Sequence, residues 1–122
     1  MDPLLQVAIG GALGASVRYL TVLWTVHIWG AGFPWGVIAV NVVGCLLMGA
    51  LVGALGTRFA GAPLILTGVL GGFTTFSAFS IDTLTLFENG SPVLALLYVG
   101  ATVLASLAAC ALGFFVARGA IA

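Results

Sequence analysis

Residues 68–80 read Gly68-Val69-Leu70-Gly71-Gly72-Phe73-Thr74-Thr75-Phe76-Ser77-Ala78-Phe79-Ser80. They lie inside an apolar run, about Ala62 to Phe87, and about 20 such residues suffice to cross a bilayer. Near its middle, a Gly-Gly pair is followed by two β-branched threonines. Gly frees the backbone, Thr is stiff at χ1, and both are poor helix formers. The pattern predicts a membrane helix interrupted near mid-bilayer. Lipid supplies no hydrogen bonds, so loose backbone at that depth must line a cavity or coordinate an ion. Freed carbonyls of Gly71 and Thr74 would suit a small hard cation, which prefers oxygen ligands. A continuous helix with small residues on a packing face is the alternative.

The rest of the chain agrees with a membrane setting. Of 122 residues, 62% are hydrophobic and 5% charged, with zero net charge, and mean hydropathy is +1.31. Soluble domains are about half apolar and about a quarter charged. A water-soluble globule is therefore excluded, as is a large catalytic domain. Three Arg and no Lys exclude a nucleic-acid binder. The apolar runs are too long and too little alternated for β-barrel strands. Four spans can be read, at about 4–25, 35–55, 62–87 and 92–117, as one all-α transmembrane domain. Gly30, Gly32 and Pro34, Arg58 through Pro63, and Glu88 through Pro92 punctuate them. Trp24, Trp29 and Trp35 cluster where an aromatic belt would sit. Met1-Asp2-Pro3 lacks the basic start of a signal peptide, so the first apolar stretch is expected to stay as a span.

Orientation is weakly encoded. Four spans put both termini and the middle loop on one side, with Arg58 and Arg118, against at most Arg18 on the other. Such a bias is feeble under the positive-inside rule. Insertion both ways would permit an antiparallel dimer, which four helices alone, a thin scaffold for any pathway, would welcome.

Polar groups inside the spans are candidates for function or for helix-to-helix glue. Phe76 and Phe79 share one helix face, three residues apart, with Thr75, Ser77 and Ser80 interleaved. Ring edges are positive and attract a desolvated anion weakly. Asn41 either glues helices or touches a permeant species, and its amide NH₂ suits an anion. Tyr98, Thr102 and Ser106, spaced i, i+4, i+8 with Cys110 at i+12, form a hydroxyl stripe on the last span. That stripe is either a rail for a small anion or a set of interhelical bonds. Arg18 either reaches an interface or caps a helix end. Asp82 is a mouth residue or a partner for Arg18. Cys45 and Cys110, outside any CxxC or Cys/His cluster, read as small buried apolar residues, and His27 as interfacial and inert.

These residues resemble the CrcB/Fluc fluoride channels over nearly the whole chain. The matching signatures are Gly10-Gly11-Ala12-Leu13-Gly14-Ala15-Ser16-Val17-Arg18-Tyr19, then Pro34-Trp35-Gly36 leading to Asn41 and Gly44, and most specifically Gly71 through Ser80. The resemblance implies an antiparallel, dual-topology homodimer in a bacterial inner membrane, with two fluoride pores along its interface. It implies that the ring edges of Phe76 and Phe79 face permeating fluoride and that Asn41 is the pore amide. Tyr98, Thr102 and Ser106 match the hydroxyl track, and Gly71 and Thr74 match the carbonyls around a central structural Na⁺. Arg18 matches the first-span Arg, and Asp82 stands where the family usually has Glu. Val37 and Ala78 replace threonines usual in the family, and Cys110 sits where the hydroxyl stripe might continue.

The function so implied is passive fluoride export rather than enzymatic catalysis. A small dual-topology multidrug or cation exporter is the rival, but it needs an acid deep in its first span, where this chain has Arg18. An intramembrane enzyme would need a nucleophile–base set or a metal cluster, which one His and scattered Ser do not provide.

Overall fold

A computed structural model describes residues 1–121, and their regular structure is entirely helical. Helix α1 spans Pro3–Trp29. Asp2 Oδ1 caps it by accepting from the Leu4 amide at 2.8 Å, and Pro3 supplies a preset φ in the first turn. It stops at Gly30, whose φ of 79° suits a residue without Cβ. Helix α2 spans Trp35–Leu55. The third apolar run divides into a π-wound segment, Pro63–Leu70, then α3, Gly71–Phe73, and α4, Ser77–Glu88. Helix α5 covers Pro92–Ile121. Helices α1 and α5 each run four residues past their expected C-terminal ends, to Trp29 and Ile121. Near the end of α5, Arg118 stacks over the Phe114 ring at 5.7 Å, a contact that favours the extra turn.

Glycine sets the packing. Helix α1 lies on the π-wound segment and α3, and α2 lies along α5. A Cβ at Gly10 would strike the Leu64 carbonyl, and one at Gly14 the Val69 carbonyl. On the other pair, a Cβ at Gly49 would strike the Cys110 carbonyl and one at Gly53 the Phe114 carbonyl. The small-residue spacing in the first two spans thus marks close backbone approach. Register advances in the same sense along both pairs, so α1 runs parallel to the third run and α2 parallel to α5. Parallel neighbours joined through an intervening helix are what four alternating crossings produce.

Little side-chain core is needed to hold this arrangement. One cluster joins Val37, Phe79, Leu86, Ala95 and Tyr98, and another joins Ala62, Leu66 and Leu70. Outside them, Leu13, Leu20, Leu96, Leu104, Leu107 and Phe115 face outward. Four helical stretches are long and apolar enough to cross a membrane, Pro3–Trp29, Trp35–Leu55, Pro63–Glu88 and Pro92–Ile121. An outward-facing apolar surface of this kind is at home in lipid and not in water.

Candidate functional site

Helical hydrogen bonding lapses between Phe73 and Ser77, where Thr74 turns extended with ψ near 160°. Every lapse of this kind leaves donors and acceptors in need of partners, and three side chains answer it. Asn41 on α2 takes the Thr75 amide on its Oδ1 at 2.8 Å and gives an N–H to the Thr75 carbonyl at 2.9 Å. Arg18 on α1 donates from Nε to the Gly72 carbonyl at 3.1 Å. Thr75 Oγ1 accepts from the Ala78 amide, in the first turn of α4, at 3.2 Å. Upstream, Thr74 donates both its amide and its hydroxyl to the Leu70 carbonyl, each at 3.1 Å. Gly44 brings α2 close, for a Cβ there would overlap the Thr74 methyl.

Beside this junction opens a cavity of about 410 Å³. Asn41, Thr74, Thr75, Phe76, Phe79, Thr102 and Ser106 line it, together with Gly71, Cys45, Val103 and Leu107. Residues from α2, the junction, α4 and α5 therefore converge on one groove. None of those lining it carries a formal charge. Thr102 Oγ1 and Ser106 Oγ are buried and make no hydrogen bond. A buried hydroxyl without a partner is costly, so its usual explanation is an unseen ligand or water.

The aromatic pair divides between two environments. Phe79 is buried, whereas Phe76 keeps 76% of its surface exposed. Their centroids lie 5.4 Å apart, edge toward face at 63°. Phe79 also packs against the Tyr98 ring at 5.4 Å.

The hydroxyls of the α5 stripe lie in two settings. Thr102 and Ser106 line the groove, but Tyr98 is wholly buried and donates its hydroxyl to Asp82 Oδ2 at 3.2 Å. Ser77 is exposed beside the groove, its Oγ 3.4 Å from Thr75 Oγ1. Of the two sequence readings of Arg18, the structure gives the helix-end contact, and Asp82 faces Tyr98. Asp82 lines a separate 150 Å³ cavity with Thr25, Phe33 and Trp35. Cys45 and Cys110 are free thiols, each partly buried. Cys45 lines the groove, a placement that its i+4 spacing from Asn41 on α2 could have revealed.

A sequence profile described as "CrcB-like protein, Camphor Resistance (CrcB)" matches residues 5–114. The chain belongs to the CrcB family. A protein of Cereibacter sphaeroides named "Fluoride-specific ion channel FluC" is 54% identical to this CrcB chain over 122 residues, covering 98% of it and 97% of the relative. Proteins of the same name from Paracoccus denitrificans and Rhizobium leguminosarum bv. trifolii are 50% and 47% identical. They cover 97% and 93% of this CrcB chain, and 96% and 94% of their own lengths. These relatives are named as ion channels, not as enzymes.

Proposed function

We propose that this chain is a passive fluoride-selective channel that exports fluoride from the cytoplasm across the cell inner membrane. One observation carries the reading: an uncharged groove at the Thr74–Phe76 junction collects an amide, unpartnered hydroxyls and two phenyl rings. The names of its relatives support it. Fluoride entering such a groove loses its water. Thr102 and Ser106 hydroxyls, the second N–H of Asn41 and the positive edges of Phe76 and Phe79 replace that hydration. The N-terminal end of α4 adds partial positive charge without a fixed cation. Neutral donors hold the ion weakly enough to release it, as conduction requires. Hydrogen fluoride is a weak acid that crosses lipid neutral and ionises inside, so an open anion path lets the trapped fluoride leave down its electrochemical gradient. Chloride is larger, and donors placed to replace the hydration of fluoride surround it less closely.

The same groove supports an assembly of two copies. Phe76 is exposed at its rim, and one protomer supplies only part of a closed wall. A second copy inserted in the opposite sense would complete two such paths, giving an antiparallel, dual-topology homodimer whose third run is broken near mid-membrane. Gly71 is exposed and Thr74 half-exposed beside the C-terminal end of α3, where carbonyl oxygens and the negative end of the helix dipole gather. Two carbonyls per chain, doubled by a two-fold axis, fit a structural Na⁺ at the dimer centre.

Purified protein in liposomes tests the reading. Fluoride leaves electrogenically and far faster than chloride. Equal rates for the two halides, or no electrogenic flux, would overturn it. For the cation site, replacing Na⁺ with a bulkier cation lowers the fluoride rate; indifference to the cation would count against Gly71 and Thr74 as its ligands.

A further inference from the structure

We propose that Cys45 is a thiophilic binding site inside the groove, where mercuric chloride bonds covalently and blocks passage; the blocking half of this rests on the channel reading above. Cys45 sits one turn beyond Asn41 on the same face of α2 and lines the groove together with Thr102 and Ser106. Its thiol is free and half-buried. On α5, Thr102 is only 4% exposed and lines the same groove, and its Oγ1 lacks a partner. The space beside Cys45 is thus built to receive something polar and is not a packing defect. All other polar groups lining it are hard oxygen or nitrogen donors, so the thiol is the one soft ligand there. Cys110, on α5, does not line the groove.

Neutral, linear mercuric chloride can reach such a site through an apolar setting, and about 410 Å³ is ample room for it. The Cys45 thiol loses its proton to water, its sulfur bonds to mercury, and one chloride departs, leaving a cysteine–mercury–chloride adduct with no change of oxidation state. That adduct fills the path between Asn41 and Ser106.

The experiment compares wild type, Cys45→Ser and Cys110→Ser in liposomes, each normalised to its own untreated fluoride rate, with mercury adducts mapped by peptide mass. Wild type and Cys110→Ser fall to the leak of protein-free vesicles on adding mercuric chloride, and a thiol reductant restores them. Cys45→Ser keeps its rate, and mercury maps to Cys45 in the other two. Equal sensitivity of Cys45→Ser, or mercury found on Cys110 alone, overturns the proposal. An untreated wild type that passes no fluoride would instead defeat the channel reading, and the adduct map would then decide the thiophilic site by itself.

Discussion

Asn41 directs both ends of its amide to one residue, and that choice ties α2 to the junction. Substituting Asp keeps the acceptor for the Thr75 amide but turns an oxygen toward the Thr75 carbonyl, where a donor stood. Asn41→Asp should lose about 1–3 kcal/mol of stability, the cost of an unsatisfied buried polar group. Denaturant unfolding in detergent measures this, and an unchanged midpoint would mean that the clamp contributes nothing. Thr102 makes the opposite case. Its Oγ1 has no partner in the protomer, so Thr102→Val, equal in shape, should leave stability unchanged or raise it. Fluoride flux should nevertheless fall roughly tenfold or more, because a hydrogen bond to a charged species is worth about 1.5–3 kcal/mol and about 1.4 kcal/mol is a factor of ten. Stability and flux moving together would make Thr102 a packing residue. Residue identities alone left Asn41, Thr102 and Tyr98 undecided between glue and pathway. Chemistry was visible in the sequence, but which way an amide or hydroxyl points depends on the neighbouring helix. Asn41 lies on the groove while binding Thr75, and Tyr98 turned to Asp82. Cys45 escaped notice because composition marks a thiol in an apolar run as filler, while its exposure to a cavity is a property of three elements at once.

At the scale of elements, the helices read well from the sequence because long apolar runs and Gly or Pro punctuation are local signals. Close contacts also read well where small residues recur at i, i+4, since only backbone can occupy that space. Gly113 carries the same pattern, with Ala109 and Ala117 four residues to either side. On α5 it meets the Leu46 carbonyl and the Ala50 amide across α2, and a Cβ would collide with both. Gly100, on the same helix, has nothing within 4 Å of an added Cβ. The two therefore separate packing from propensity. Gly113→Ala should destabilise by about 1–3 kcal/mol through overpacking, whereas Gly100→Ala should be neutral or gain up to about 1 kcal/mol from better helix propensity. Unfolding of both variants in one detergent is the measurement. A destabilised Gly100→Ala would mean that a second chain approaches α5 at that turn.

For the whole molecule, orientation rests on very few charges. Arg18 is engaged with the Gly72 carbonyl inside the bundle, which leaves Arg58 and Arg118, both exposed, at one end of the helices. The loops at the other end, 30–34 and 89–91, carry no Lys or Arg. A difference of two charges is small, and orientation responds to short-loop Lys and Arg near the ends of spans. Moving charge should therefore force one orientation. Ala31→Lys with Gly32→Lys is sterically open, since Gly32 has nothing within 4 Å of an added Cβ and no positive φ. Combined with Arg58→Gln and Arg118→Gln, it should drive insertion one way, and Thr57→Lys with Ala60→Lys the other. A reporter on the C-terminus, read for its side of the membrane, should find wild type on both sides and each variant on one. If two oppositely inserted copies make the path, neither variant alone should pass fluoride, and expressing them together should restore flux. Wild type found on a single side, or either variant conducting alone, would rule out the antiparallel assembly while leaving the groove of the single chain as described.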